Sequence, residues 1–140
     1  MEKLEPIGES GTLRESMNDD TLLFRNIHPS FIQAGQVTSQ AFRPTPKDEN
    51  KLSVYDGDRI SPEKAWDHFT GDPRCTSAGI LAVSKGECQK QELPVVTDGE
   101  PFPEHAFIDF TGLAKSAVEK KAKFLRNAAM IRNWLFRKEA

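Results

Sequence analysis

The sequence has little of what metal sites, disulfide frameworks and membrane spans are built from. Its two cysteines, Cys75 and Cys88, and its three histidines show none of the spacings typical of zinc ligands. Apolar runs such as ILAV at 80–83 are too short to span a bilayer, and residues 1–10 lack the basic and apolar regions of a secretory signal. We therefore expect a cytoplasmic protein with two free thiols, no metal and no membrane contact.

The charge is nearly balanced, at −2 over 140 residues. This balance argues against a nucleic-acid-binding protein, which usually has a basic excess. The charge is nevertheless separated along the chain, because residues 1–20 are mainly acidic and the last thirty residues are mainly basic. Two solvated surfaces would explain the separation, and so would a basic face for an acidic partner. We predict a flexible acidic arm over 1–20 and one domain over 21–140.

Apolar stretches separated by turn residues predict an α+β fold. Strands are predicted at 22–27, 37–42, 52–55, 78–83 and 105–110. Ser61 followed by proline predicts a helix start, and Ser84 predicts a second, shorter helix. An apolar stripe at helical spacing predicts a long C-terminal helix over 113–137. We expect a single domain with a mixed, mostly antiparallel sheet, its helices on one side and the C-terminal helix packed across it.

Two polar segments near the predicted strands resemble an enzyme family. The segments LFR and TSQAF, which contain Arg25 and Ser39, are similar in order to the ADP-ribosyltransferases. In that family an Arg or His on one strand, a Ser on the next and a later Glu surround a nicotinamide dinucleotide. The resemblance implies that Arg25 and Ser39 bind NAD, with Glu104 or Glu119 as the third residue. Arginine would hold the pyrophosphate by paired hydrogen bonds, and the carboxylate would stabilise an oxocarbenium-like transition state.

A hydrolytic Ser–His–Asp site is not predicted. His105 and Asp109 share one face of a predicted strand but would lie about 13 Å apart, at about 3.3 Å per residue. Neither Ser39 nor Ser53 lies in a GxSxG turn. Neither cysteine has a strongly electropositive flank. Each of these polar side chains also has a structural explanation, as a partner for backbone groups at a turn or a sheet edge.

The leading hypothesis is therefore a non-catalytic protein-interaction module without a cofactor. Arg43 and Lys47, on a loop that contains two prolines, form one predicted contact surface. Lys123, Arg126 and Trp134 on the C-terminal helix form the other. An accessory, immunity or defence-operon protein of a bacterium would fit this description. The alternative is a nucleotide-handling enzyme of ADP-ribosyltransferase type. The identity of the protein partner and the oligomeric state are not specified by the residues.

Overall fold

A computed structural model of the chain describes residues 17–138. Most of the predicted acidic arm, residues 1–16, lies outside the described residues. Residues 17–20 lead into the first strand through a turn in which the amide of Thr21 donates to the carbonyl of Asn18. The amide of Gly86 donates to the carbonyl of Asp19 at 2.9 Å. The chain is therefore held against the body of the protein from residue 19 onwards.

The described residues form strands and helices that alternate irregularly along the chain. The strands are β1 (Leu22–Asn26), β2 (Ile32–Gln33), β3 (Gln36–Val37), β4 (Lys51–Asp56), β5 (Gly79–Ser84), β6 (Val95–Val96), β7 (His105–Asp109) and β8 (Phe136–Arg137). The α-helices are α1 (Pro62–Thr70), α2 (Lys85–Lys90) and α3 (Lys115–Arg132). Six strands join one sheet in the order β6-β7-β4-β1-β5-β8, and every pair in it is antiparallel. The predicted α+β fold with a mostly antiparallel sheet is thus confirmed.

The two helix starts that the sequence indicates are also confirmed. Ser61 caps α1, since its hydroxyl accepts a hydrogen bond from the amide of Lys64 at 3.3 Å. Ser84 and Glu87 form a reciprocal capping box at the start of α2, with bonds of 2.8 and 3.1 Å. These bonds satisfy amide groups that the first helical turn leaves without partners.

Both faces of the sheet are covered by helices. Leu23, Val54 and Ile108 face α3 and pack against its buried residues, Leu125 among them. The opposite face packs against Ala65 of α1. The predicted packing of the C-terminal helix across the sheet is confirmed, whereas the expectation of helices on one side is wrong. All six residues of β5 are buried, so a strand this apolar needs cover on both faces.

The predicted second strand at 37–42 is wrong. Val37 ends the short hairpin that β2 and β3 form, and Ser39–Phe42 is a turn of 3-10 helix. Ala41 and Phe42 are both fully buried under α3. Adjacent residues of a strand point to opposite faces, so a regular strand could not bury both of them in one core, but a helical turn can.

Helix α3 is shorter than predicted, because it ends at Arg132 rather than at residue 137. Asn133 has a φ of 76° and a ψ of 174°, a backbone conformation that cannot continue the helix. The chain then turns, and β8 pairs with β5, with Phe136 opposite Ile80. Pairing at the open edge of the sheet thus replaces the last turn of the helix. Trp134, predicted on the helix, lies in the connection instead.

Candidate functional site

Strands β1 and β4 separate at one end of the sheet, and a pocket opens there on the α1 side. Leu23 pairs with Asp56 and Phe24 with Tyr55, and the pairing stops at that point. Beyond it the guanidinium of Arg25 takes over, donating from Nε to the carbonyl of Ala41 at 2.9 Å and from Nη1 to the carbonyl of Ser53 at 3.0 Å. A charged side chain therefore holds the two strands at the mouth of the pocket, where a backbone ladder would otherwise run.

The pocket has a volume of about 260 Å³ and a wall made largely of rings. Phe102 is central to that wall. Its ring centroid lies 5.1 Å from that of Tyr55, 4.4 Å from that of His68 and 5.3 Å from that of His105. Phe24 and Phe69 add further apolar surface. Such a wall favours a ligand with an apolar ring, because aromatic pairs stabilise contacts beyond the area that they bury.

Arg25 is the one residue with a permanent charge among those that line the pocket. Burial lowers the pKa of Arg25 to about 10, against the opposing effect of Asp48. The guanidinium therefore remains cationic at neutral pH. Its Nη2 has no hydrogen-bond acceptor among residues 17–138, so a bound anion has a donor to reach.

Three polar side chains form a continuous hydrogen-bonded chain at the edge of the pocket. Nδ1 of His105 lies 2.6 Å from Oδ1 of Asp98, and Nε2 of His105 lies 3.2 Å from Oγ of Ser53. A carboxylate accepts only, so the proton of the shorter bond belongs to Nδ1 of His105. In the neutral imidazole Nε2 then carries a lone pair that faces the Ser53 hydroxyl. A general base placed to activate a serine has this arrangement.

The fold explains how these three residues meet. Ser53 lies on β4 and His105 on β7, the neighbouring strand, where Ser53 pairs with Phe107. Ser53 and His105 are thus diagonal neighbours on one face of the sheet, within reach of each other. Asp98 follows β6, and the connection from β6 to β7 folds back so that the amide of Gly99 donates to the carbonyl of His105 at 3.2 Å. The side chain of His105 is 13% exposed. The three hydrogen-bonded side chains are therefore accessible to a ligand but largely shielded from water.

Asn26 is the other unusual residue in the pocket lining. It is 8% exposed and lies on the same strand face as Phe24, opposite Ile80. Neither its Oδ1 nor its Nδ2 has a hydrogen-bond partner within the described part of the chain, and both atoms are shielded from solvent. Leaving a buried polar group without a partner costs about 1–3 kcal/mol. Such a group calls for an explanation, and a bound ligand or an ordered water would supply the missing partner.

Tyr55 forms a second polar contact behind Phe102. Its hydroxyl lies 2.7 Å from Nδ1 of His68 on α1. Burial raises the pKa of Tyr55 to about 12, and the neighbouring Cys75 and Glu104 add to the effect. The hydroxyl therefore stays neutral and fixes α1 against the sheet by a hydrogen bond.

The residues that the ADP-ribosyltransferase resemblance singles out do not share this pocket. Arg25 lines it, but Ser39 lies in the 3-10 turn under α3, and Glu104 lies at the start of β7. The carbonyl of Glu104 accepts a hydrogen bond from the amide of Asp56 at 2.8 Å. Binding of NAD by these three residues stays a prediction.

The first predicted partner surface, the proline-containing loop, lies beside the start of α3. Arg43 contacts Glu119, with Nη1 and Oε2 3.4 Å apart, and both line a groove of about 580 Å³. Leu113 and Val118 provide apolar surface in the same groove. Lys47 is exposed on the loop itself.

The second predicted partner surface divides into one exposed residue and two that support the fold. Lys123 faces solvent on α3. Arg126 donates from Nε to the carbonyl of Val37 at 2.7 Å and so holds the β2–β3 hairpin against the helix. Trp134 is half-buried against the core, and the guanidinium of Arg137 lies 4.8 Å from its ring. A role of these residues in binding a partner stays a prediction.

Sequence reasoning missed Asp98 and Asn26. Asp98 precedes a glycine, a pair typical of a turn, and the turn does form, with Gly99 at a positive φ of 63°. What the sequence did not indicate is that this turn returns its carboxylate to His105. Asp109, the acid that shares a strand with His105, instead accepts a hydrogen bond from the amide of Thr111 at 2.8 Å. An asparagine that directly follows Arg25 at the end of β1 was the one available signal for Asn26.

Comparisons with known proteins add no further information: no family model matches the chain, and no curated protein or solved structure resembles it. Over residues 17–138 no helix has the length and apolarity needed to cross a membrane. The same residues contain no group of three or more His, Cys, Asp or Glu side chains arranged to hold a metal ion.

Proposed function

We propose that this chain binds a small organic ligand with one apolar ring and a carboxylate, in the pocket between β1 and β4. The observation that carries the proposal is the position of three polar groups at one small ring-lined pocket. These groups are the Arg25 guanidinium and the hydrogen-bonded pair of Ser53 and His105, with the Asn26 amide buried beside them. An apolar wall with a few converging polar groups is the usual composition of a ligand site.

The charge and the rings determine the chemistry of the ligand. The ring would pack against Phe24, Phe69 and Phe102, and its carboxylate would accept hydrogen bonds from Arg25. The Asn26 amide must rotate to reach the ligand, because both of its polar atoms are shielded from solvent. Binding would give that amide the partner that it lacks, and the released cost of about 1–3 kcal/mol would add to the affinity.

The size of the pocket favours a single ring over a whole dinucleotide. Pockets for drug-sized ligands have volumes of about 300–1,000 Å³. At about 260 Å³ this pocket lies just below that range. The NAD-dependent alternative is a separate proposal, which the same experiment addresses.

A thermal-shift titration tests ligand binding. Phenylacetate should raise the melting temperature, since a ligand at a hundred times its Kd stabilises the native state by about 2.7 kcal/mol. Phenethylamine, with the same ring and the opposite charge, is the matched control and should give no shift. Equal shifts for the two compounds, or no shift with any small aromatic acid at 10 mM (on the order of the weakest useful affinity), would contradict the proposal. NAD is included in the same titration, and a shift with NAD would favour the ADP-ribosyltransferase alternative.

A second candidate, the cytoplasmic protein-interaction module of a bacterial accessory or defence system, is supported by the outer face of α3. Ile131 is 87% exposed and Phe124 is 37% exposed. They lie seven residues apart on one side of the helix, and the exposed Lys123 precedes Phe124 in the sequence. Exposed basic and apolar groups on one helix suit an acidic protein partner with an apolar contact of its own. This surface lies on the opposite side of the sheet from the pocket, so the two functions do not exclude each other.

Affinity capture with two variants, one that reverses a charge and one that introduces a charge, tests the second candidate. Lys123→Glu and Ile131→Glu should each lose a partner that the native chain recovers. Lys64→Glu, the same change at an exposed residue of α1, should recover it unchanged. The identified partner is then titrated against each variant by calorimetry. Equal binding by all variants would exclude α3 as the contact surface.

A further inference from the structure

We propose that Ser53 is a nucleophile for acyl transfer, and that the protein hydrolyses esters of small apolar acids. His105 would act as the general base and acid, and Asp98 as a positioning residue that fixes the imidazole. The inference rests on the proposed ligand site, because the carboxylic acid that the pocket binds would be the product of this reaction.

The geometry of the three side chains carries the proposal. A serine nucleophile needs a base within about 2.6–3.2 Å of its hydroxyl and a third group that orients the base. The 3.2 Å contact between Ser53 and His105 and the 2.6 Å contact between His105 and Asp98 meet both conditions. The order along the chain, Ser, Asp, His, has no bearing on this, since the same arrangement occurs on unrelated folds in several orders.

The surroundings supply what the three side chains do not. An attacked ester carbonyl develops negative charge on its oxygen, and a preorganised donor near that oxygen is commonly the largest single contribution to the rate. Arg25 lines the same pocket and is anchored to the backbone of Ser53 itself, with Nη1 3.0 Å from the Ser53 carbonyl. Its position is thus fixed relative to the nucleophile. The apolar rings of Phe24, Phe69 and Phe102 would receive the acyl group.

The reaction proceeds in two half-steps. Oγ of Ser53 attacks the ester carbonyl carbon while its proton passes to Nε2 of His105. The bond from the carbonyl carbon to the alcohol oxygen then breaks, and Nε2 returns the proton to the departing alcohol. Water attacks the acyl-serine in the same manner, with His105 taking and returning a proton. The products are the carboxylic acid, the alcohol and the unchanged serine, with no redox change and no cofactor required.

The chain contains an internal control for this arrangement. Oγ of Ser30 lies 2.8 Å from Nδ1 of His28, a shorter Ser–His contact than that of Ser53. Among residues 17–138 no carboxylate contacts His28, and the pair is exposed at a turn where His28 accepts a hydrogen bond from the amide of Ser30. A Ser–His contact alone therefore predicts reactivity at Ser30, whereas the complete arrangement predicts it at Ser53.

Labelling with diisopropyl fluorophosphate, which forms a covalent adduct with activated serines and releases fluoride, tests the inference. Peptide mass spectrometry should place the adduct on Ser53 and not on Ser30. Ser53→Ala and His105→Gln should abolish the labelling, and Ser30→Ala should leave it unchanged. Hydrolysis of 4-nitrophenyl phenylacetate should follow the same pattern.

The positioning role of Asp98 is tested by a measurement that a merely structural role would not change. Asp98→Asn should lower kcat for the ester by about a hundredfold or more while KM stays within about threefold. The reason is that the substitution disturbs the orientation of the imidazole but leaves substrate binding intact. Asp98→Glu should recover part of kcat. A rise in KM with an unchanged kcat would overturn the positioning role.

The outcomes separate this inference from the proposed function. If phenylacetate raises the melting temperature but Ser53 is not labelled and no ester is hydrolysed above the rate of Ser53→Ala, the site binds a ligand without acyl transfer and the inference is wrong. If neither binding nor labelling occurs, both proposals fail. Labelling of Ser53 that persists in His105→Gln would also overturn the inference, since the hydroxyl would then react without its base.

Discussion

Replacing Asn26 with leucine tests whether this residue serves ligand binding or the stability of the fold. Asn26 is buried on β1, and its amide has no partner in the described structure. Leucine has a similar size, has no polar atoms and is better suited to a strand. Removing a buried group that lacks a partner returns the cost of burying it, so we expect Asn26→Leu to raise the free energy of unfolding by about 1–3 kcal/mol. Most substitutions in a core have the opposite sign.

The measurement is urea unfolding in parallel with thermal melting. For a domain of this size, 1 kcal/mol corresponds to a shift in melting temperature of roughly 3–5 °C, so the expected rise is about 3–15 °C. The affinity for phenylacetate should fall at the same time by about fivefold to 150-fold, because the ligand no longer gains the roughly 1–3 kcal/mol released when the amide finds a partner. More stability with less binding is the usual result where a site is maintained at the expense of the fold.

Thr38 provides the matched control. Its hydroxyl is also buried without a partner in the described structure, but it lies before the 3-10 turn and does not line the pocket. Thr38→Val removes that hydroxyl at nearly constant shape. We expect it to stabilise the protein and leave the affinity unchanged. If Asn26→Leu instead destabilises the protein, the amide has a partner, such as an ordered water, and the argument from its burial is refuted.

Three further predictions concern the fold around the site. Burial alone would raise the pKa of Glu87, but hydrogen bonds from Arg132 and Ser84 and the charge of Arg132 together outweigh burial and hold this pKa below its ordinary value. The carboxylate therefore stabilises the native state above its unfolded-state pKa and loses that contribution as the pH falls through its folded-state pKa. Glu87→Gln should therefore cost about 1 kcal/mol at pH 7, and its unfolding free energy should converge with that of the native chain in urea titrations below about pH 4. Burial raises the pKa of the Cys88 thiol to about 12, so a thiol reagent at pH 8 should modify the half-exposed Cys75 in the folded protein and reach Cys88 only after unfolding; two equally fast thiols would contradict the packing of α2. Gly79→Ala would place a Cβ 2.4 Å from a backbone oxygen of β8 at a φ of +155°, and it should lower the melting temperature and raise amide exchange in β8, whereas unchanged exchange would show that β8 is not held by β5.

Features that depend on short stretches of sequence were predictable. Ser61 and Ser84 mark helix starts because a capping hydroxyl bonds to an amide three residues away, within the same turn. The alternating pattern at 105–110 identified β7 and assigned Ala106 and Ile108 to the core face. The apolar stripe of α3 likewise identified the face that packs on the sheet. In each case the determining interaction lies within a few residues or repeats with a fixed period.

Features that depend on distant partners were not predictable. The 3-10 turn at Ser39–Phe42 forms because α3, about eighty residues later, needs both Ala41 and Phe42 beneath it. Trp134 lies outside the helix because the chain after Asn133 forms β8, which pairs with the edge of β5. A longer helix could not form these inter-strand hydrogen bonds. The helical pattern at 113–137 contains no information about that edge, so the end of α3 was placed too late.

The candidate site shows the same division. The sequence by itself determined an α+β chain with an antiparallel sheet, the helix starts and which strand faces are apolar, because these follow from periodicity and local hydrogen bonding. It also placed Ser53 and His105 on strands. Only the tertiary structure decided that β4 and β7 are neighbours, that the turn after β6 returns Asp98 to His105, and that β1 leaves β4 to admit Arg25. The contact between Ser53 and His105, 52 positions apart, depends on the register of the sheet, and a single chain sequence does not record that register.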